Sequence, residues 1–121
     1  MKYIGDILIV LFLINTQEKQ KVIFIFNTDA KNMKIKNGYY YIDDFSFKKV
    51  NNKSAKIVSF DFIKPNLKVL SEFKKMVKNK RQPYPEVFSE FELFLYVPRS
   101  KSDGCLIQVE KIWLVEDKID N

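Results

Sequence analysis

The first two hydrophobic runs of the chain have the residue types and lengths of β-strands. Residues 22–26 are β-branched and aromatic throughout, and Asn27 follows them as a turn former. Residues 39–42 form a second run, after a polar stretch at residues 30–37 that ends in Asn37-Gly38. This dipeptide favours the positive φ angles of a tight turn. The pattern therefore predicts two strands, the first of them mostly buried, with polar chain between them.

Strand-like patterns continue as far as residue 63. Residues 45–50 extend the second strand beyond Asp43 and Asp44, and residues 51–53 form a turn. Residues 56–63 alternate strictly between two faces, which is the period of a half-buried strand. One face carries Ile57, Ser59, Asp61 and Ile63, and the other carries Val58, Phe60 and Phe62. We expect one strand over this whole segment.

Residues 65–80 carry a clear helical pattern. The apolar residues recur at intervals of three and four, as on the buried stripe of an amphipathic helix: Leu67, Leu70, Phe73, Met76 and Val77, with Val69 widening the stripe. Pro65 suits the first turn of a helix. Pro83 and Pro85 end the helix, because proline lacks the backbone donor needed to continue it.

Two alternating segments joined by a polar, glycine-ended connection predict a closing antiparallel hairpin. They are residues 91–97 and residues 105–115. The predicted order is ββ(β)-α-ββ. The fold class is α+β, with one amphipathic helix packed on an antiparallel sheet of about four to six strands.

The N-terminal segment has the order of a secretory signal peptide. A basic residue, Lys2, precedes the apolar run at residues 7–14, and the polar pair Asn15-Thr16 follows it. We predict a signal peptide at residues 1–16 and a single α+β domain at residues 17–121. The alternatives are that residues 7–14 form a core strand of a cytoplasmic protein, or an uncleaved membrane anchor. The anchor is disfavoured because a spanning helix needs roughly 20 apolar residues.

Composition narrows the chemistry available to the chain. It has 121 residues, no histidine and one cysteine. Catalytic triads that use histidine, Cys-His pairs and His-zinc sites are therefore excluded. Cys105 has no partner for an internal disulfide, and its position in a predicted strand favours a packing role. We predict no enzyme activity, no catalytic residue, no cofactor and no metal site.

Charge is unevenly distributed along the chain, whose formal net charge is +6. Residues 17–85 carry a net charge of +10, and residues 86–121 carry −4. The strongest basic cluster lies on and after the predicted helix, and its candidate residues for an anionic partner are Lys68, Lys74, Lys75, Lys78, Lys80 and Arg81. The alternative is that these cations only cover the solvated face of the helix and complement its dipole.

The remaining polar and aromatic residues have simpler structural interpretations. Asp29, Asp43, Asp44 and Asp103 occur at predicted turns, where aspartate is common. Asp61 is the exception, since it lies in the predicted strand at residues 56–63. The chain has eleven Phe, six Tyr and one Trp, and aromatic residues in a small sheet domain usually form the core. A ligand groove lined by aromatic residues is the alternative.

Several segments together resemble small exported hypothetical proteins of Gram-negative, AT-rich bacteria. They are the start that ends in Thr16-Gln17-Glu18, the strands VIFIF and YYYI, and the closing hairpin FELFLYV…VEKIWLVE. The resemblance implies export and supports the hairpin. It assigns no functional residue.

The expected function is that of an exported, non-enzymatic binding domain at the periplasm or cell surface. Its partner is a macromolecule of the cell envelope, or a second copy that stacks its basic region on an acidic hairpin. The acidic residues are Glu86, Glu90, Glu92, Glu110, Glu116, Asp117 and Asp120. The alternative is a cytoplasmic nucleic-acid-associated module, with residues 7–14 as a core strand.

Overall fold

The computed structural model describes residues 19–78 and 88–112. These residues form seven strands: β1 (Gln20–Ile25), β2 (Met33–Lys36), β3 (Tyr39–Ile42), β4 (Phe45–Lys49), β5 (Lys56–Ser59), β6 (Phe91–Pro98) and β7 (Asp103–Ile112). Between β5 and β6 lie α1 (Phe60–Ile63), a 3₁₀ turn (Lys64–Asn66) and α2 (Leu70–Lys78). The fold is mixed α and β with sheet predominating, in agreement with the predicted α+β class. The predicted signal peptide lies outside the described residues.

The seven described strands form one mixed sheet. Its order is β1-β6-β7-β4-β3-β2, and β5 pairs with β7 beside β4. Strands β1 and β6 are parallel, and all the other pairs of described strands are antiparallel. The predicted antiparallel sheet of four to six strands is therefore wrong in strand number and in this one pair. Parallel pairing of β1 with β6 joins residues about seventy positions apart, which a local pattern does not reveal.

Strands β4 and β5 lie one after the other along the same edge of β7. Lys49 pairs with Val109, and Lys56 pairs with Leu106. The Val50 backbone N–H still donates to the Gln108 carbonyl at 2.9 Å, and residues 51–55 then leave the edge as a loop before β5 begins at Lys56. This loop carries Lys53 to the rim of the groove described below.

One face of the sheet is covered by α2 and holds the main core. We call it the helix face. The helix contributes Leu70, Phe73 and Val77, and the rings of Phe24 and Phe73 meet edge to face at 5.3 Å. Buried strand residues complete the core: Val22, Phe24, Phe26, Ile42, Phe45, Phe47, Phe91, Leu93, Leu95, Ile107 and Val109. The prediction that most aromatic residues form the core is confirmed for these side chains.

The opposite face of the sheet is covered only in part. We call it the groove face. Ile23, Ile63 and Tyr96 are buried there, and Phe60 and Leu67 pack against them from α1 and the chain after the 3₁₀ turn. The rings of Phe60 and Tyr96 are 6.0 Å apart. Val58, Phe94 and Leu106 also pack against this cluster, and with Ile23 they line the groove described below.

The predicted strand at residues 56–63 is wrong after Ser59. The Ser59 hydroxyl accepts a hydrogen bond from the Phe62 backbone N–H at 3.2 Å and caps α1. The chain therefore turns into a helix at Phe60. This turn buries Ile63 and leaves Phe62 64% exposed, although both side chains are large and apolar.

The predicted helix at residues 65–80 begins too early. Leu67 has an extended ψ of 133° and forms a parallel bridge to Ile23, and the Lys68 backbone N–H donates to the Ile23 carbonyl at 2.9 Å. The helix starts at Leu70, so Val69 is 61% exposed and does not widen the buried stripe. The free edge of β1 competes successfully with the helix for these backbone groups. The described part of α2 ends at Lys78.

The turns around β2 and β3 were only partly anticipated. Asn37 and Gly38 have φ angles of 54° and 82°, which confirms the tight turn. It joins β2 to β3. Strand β2 was not predicted, because residues 30–37 are mostly polar. Asp43 also has a positive φ of 54°, so β4 reverses direction and does not continue β3.

The closing hairpin is confirmed. Strands β6 and β7 pair antiparallel from Leu93 with Val109 to Pro98 with Gly104. The predicted inward residues of β6, namely Phe91, Leu93 and Leu95, are buried on the helix face. Residues 113–115, predicted as the end of the last strand, lie outside the described residues.

Candidate functional site

A groove of about 360 Å³ opens on the groove face of the sheet. Its floor consists of side chains from four strands, in the spatial order β1, β6, β7 and β5: Ile23, Phe94, Leu106, Gln108 and Val58. Adjacent strands of a sheet are about 4.8 Å apart, so three spacings make the groove roughly 14 Å wide across the strands. This volume is within the range of small-molecule sites.

Strand register places the floor residues side by side. Ile23 is opposite Phe94 in the β1–β6 pair, and Phe94 is opposite Gln108 in the β6–β7 pair. Because side chains alternate along a strand, Phe94 points away from the buried Leu93 and Leu95 and onto the groove face. The floor is therefore mostly apolar, with one amide that can donate and accept hydrogen bonds.

The rim of the groove is mainly basic. Lys21, Lys53 and Lys56 are exposed there, together with the half-buried Glu92. Lys21 is opposite Glu92 in the β1–β6 pair, so the carboxylate of the rim lies on this side of the groove. Within residues 19–78 and 88–112, Lys53 and Lys56 form no ion pair. The two uncompensated cations are therefore on the β5 side of the groove.

The wall beside α1 is apolar and tied to the sheet. Phe62 lines the groove while 64% of its surface is exposed. Asn66 donates from Nδ2 to the Lys21 carbonyl at 3.4 Å, which holds the 3₁₀ turn against β1. An exposed aromatic ring on a fixed wall offers contact area to a bound apolar group.

The basic residues predicted from the helix are not brought together into one site. Lys74 donates to Asp44 Oδ1 at 2.9 Å and lies 4.5 Å from the centroid of the Phe45 ring. Lys75 and Lys78 are exposed on α2, on the other side of the sheet from the groove. Lys68 is half-buried before the helix begins. Lys80 and Arg81 lie outside the described residues.

The described aspartates stand mostly in turns and ion pairs. The interaction of Asp61 with Lys64 is 3.0 Å long, and that of Asp103 with Arg99 is 2.8 Å. The hydrogen bond from Arg99 to Asp103 holds the pKa of Asp103 below its ordinary value and raises the pKa of Arg99. Among the described residues, no three His, Cys, Asp or Glu side chains are grouped closely enough to hold a metal ion. Cys105 is half-buried against the main core and is a free thiol.

Sequence reasoning did not identify the groove residues as a site. One signal was present: β6 carries large apolar side chains on both faces, with Phe94 and Tyr96 between Leu93, Leu95 and Val97. Strands with this pattern are covered on both faces, or carry an apolar surface that contacts something else. Lys53 reaches the rim from the loop that precedes β5, and Lys56 reaches it from β5 itself. No local pattern indicates either placement.

Comparisons of the chain with protein-family models, with curated proteins and with solved structures gave no match. Its function is therefore inferred from the chemistry of its own residues. In the described parts of the chain, none of the helices has the length and hydropathy needed to cross a membrane.

Proposed function

We propose that this protein is an exported, non-enzymatic binding domain that holds an anionic component of the cell envelope in its groove. The observation that carries the proposal is the pair of uncompensated lysines, Lys53 and Lys56, beside an apolar floor. Positive charge at a concave site attracts anions, and the floor adds contact area once they arrive. The partner accordingly carries negative charge.

Binding is proposed in preference to catalysis because the chain lacks histidine and three of its aspartates are engaged in ion pairs. The chain has no histidine. The carboxylates of Asp44, Asp61 and Asp103 each pair with a lysine or arginine. These carboxylates are thus committed to structural contacts, and none of the three lines the groove.

Export is proposed from the signal-like order of residues 1–16 and from the resemblance to small exported bacterial proteins. The test is the intact mass and cell fraction of the full chain expressed in a Gram-negative host. We expect a mature form that begins near Gln17, in the periplasm or the medium. A full-length product in the cytoplasm contradicts export and favours residues 7–14 as a core strand.

The binding proposal is tested with two matched double variants of the exported protein. The groove variant carries Lys53→Gln and Lys56→Gln, and the helix variant carries Lys75→Gln and Lys78→Gln. The probes are polygalacturonate and vesicles that contain phosphatidylglycerol. We expect salt-sensitive binding to at least one probe, weakened in the groove variant and retained in the helix variant. Loss confined to the helix variant transfers the site to the basic residues predicted on α2.

A second candidate function is binding of single-stranded nucleic acid, favoured by another part of the groove face. Tyr39 and Tyr41 lie there by strand alternation, because Tyr40 packs against the main core on the helix face. Lys34 Nζ is 5.6 Å from the centroid of the Tyr41 ring. Tyrosine rings and lysines on a sheet are one means of stacking bases and contacting phosphates. An affinity for oligonucleotides that falls steeply with salt, in a chain that keeps its N-terminus, favours this function.

Stacking of copies through opposite charges requires an acidic surface on the hairpin. Glu110 forms an ion pair with Lys48 at 3.2 Å, and Glu92 is opposite Lys21. These two carboxylates of the hairpin are therefore interleaved with lysines and do not form a separate acidic surface. Sedimentation at low and high salt tests the proposal, which requires association that salt abolishes.

A further inference from the structure

We propose that the groove binds a single alkyl chain that ends in a carboxylate. The alkyl chain lies on the apolar floor, and the carboxylate lies between Lys53 and Lys56. This inference rests on the proposed function, in which the groove is the binding surface, and it names the class of ligand.

The apolar part of the groove is suited to a hydrocarbon chain. Phe94, Leu106 and Val58 are only half-buried, and Phe62 is 64% exposed beside them. These side chains form one continuous lining, together with the buried Ile23. A chain laid across them removes apolar surface from water on both partners. Each buried methylene group is expected to strengthen binding about fourfold.

The distribution of charge gives the ligand a direction. Glu92 is opposite Lys21 on the β1–β6 side, whereas Lys53 and Lys56 on the β5 side have no carboxylate beside them among the described lining residues. A carboxylate is attracted to the two free lysines and gains nothing at Glu92. The methyl end of the chain therefore points toward β1, along the roughly 14 Å width of the floor.

This ligand class fits the groove better than the other anions of the proposed function. A polysaccharide or a nucleic-acid backbone satisfies the lysines and leaves the floor exposed to water. A neutral alkyl compound covers the floor and leaves both lysines without a partner. An alkyl carboxylate matches both features in one molecule.

The test is isothermal titration of the purified full chain with octanoate, decanoate and dodecanoate, each below its micelle concentration. We expect affinity to rise about fifteenfold for each pair of methylenes until the groove is filled, and then to level. Decanol and decyltrimethylammonium serve as neutral and cationic probes. Both are expected to bind at least fivefold more weakly than decanoate.

Three variants locate the site. The groove variant, Lys53→Gln with Lys56→Gln, is expected to bind decanoate about fivefold to tenfold more weakly. Phe62→Ser removes an exposed ring from the wall and is expected to weaken binding by more than about threefold. The helix variant, Lys75→Gln with Lys78→Gln, has the same change in net charge and is expected to bind normally. All substituted side chains are exposed, so circular dichroism should show an unchanged fold.

The possible outcomes separate this inference from the proposed function. If decanol binds as tightly as decanoate, or if only the helix variant loses decanoate binding, the inference is wrong. If no alkyl carboxylate binds but polygalacturonate binds in a manner that depends on Lys53 and Lys56, the ligand class is wrong and the proposed function stands. If neither probe depends on these lysines, both proposals fail.

Discussion

Gly104 lies under the ring of Tyr96, where the β6–β7 hairpin leaves no space for a side chain. A Cβ atom on Gly104 would be 2.6 Å from the Val97 carbonyl oxygen and 2.7 Å from Tyr96 Cζ. The ring itself is 1% exposed, and burial raises the pKa of its phenol. Among the described residues, the Tyr96 hydroxyl has no hydrogen-bond partner. The missing side chain at Gly104 is therefore what allows this aromatic ring to pack against the backbone of β7.

Gly104→Ala is expected to lower the free energy of unfolding by about 1–3 kcal/mol, because the added methyl group displaces a strand carbonyl and a packed ring. The measurement is urea denaturation followed by circular dichroism. Gly104→Asn is expected to be worse, since the side chain is larger.

The matched control is Gly38, where a side chain is disfavoured by the backbone conformation and not by a clash with neighbouring atoms. Its φ is 82°, and a Cβ there meets no atom within 4 Å. Gly38→Ala is expected to cost about 1 kcal/mol, and Gly38→Asn less, since asparagine tolerates positive φ. If asparagine is also the better residue at position 104, the steric explanation is wrong.

At the scale of elements, the chain between the 3₁₀ turn and α2 behaves as a short edge strand. Leu67 bridges to Ile23, and the next backbone N–H satisfies the Ile23 carbonyl. A buried carbonyl without a partner is costly, so this contact both covers the edge of β1 and delays the start of α2. The same contact holds one wall of the groove in place.

Lys68→Pro is expected to lower the free energy of unfolding by about 1–3 kcal/mol, because it removes the only donor that position 68 offers to Ile23. Lys68→Ala keeps the backbone N–H and is the control, with an expected change within about 0.5 kcal/mol. Equal stability of the two variants in urea denaturation would show that the hydrogen bond contributes nothing measurable.

At the scale of the whole molecule, one ion pair connects α2 to the sheet and another closes the β6–β7 turn. Lys74 on α2 reaches Asp44 in the β3–β4 turn, and Arg99 reaches Asp103 across the β6–β7 turn. The hydrogen bond from Lys74 lowers the pKa of Asp44, and hydrogen bonds from Arg99 and Ser100 lower that of Asp103. Both carboxylates are therefore easier to protonate in the unfolded chain.

This difference predicts how stability depends on pH. The ordinary pKa of aspartate is about 3.9. As the pH falls through this value, the unfolded state takes up more protons than the folded state, so the stabilisation present above about pH 5 is lost. We expect the double variant Asp44→Asn with Asp103→Asn to be less stable than the native chain at pH 7, with a difference that shrinks toward pH 3. Thermal melts at several pH values measure it, and a difference that stays constant with pH contradicts the assignment.

Strong local patterns along the chain were sufficient to predict several elements of the fold. The runs at residues 22–26 and 39–42, the Asn37-Gly38 turn and the β6–β7 hairpin were predicted and found. In each case, residue type and period act over a few neighbouring positions. The predicted α+β class follows from the same elements. The predictions of export and of an anionic partner also come from sequence, and they remain predictions to be tested.

The other features of the fold depend on contacts that no local pattern encodes. The parallel pairing of β1 with β6 and the extended chain at Leu67 depend on partners that are remote in sequence. The turn into α1 at Phe60 depends on the Ser59 cap, which ends the alternating strand pattern. The groove has the same origin, because its floor joins four strands and its free lysines come from β5 and from the loop that precedes it. Local periodicity reports how one segment buries its own side chains, whereas a site is made where separate segments meet.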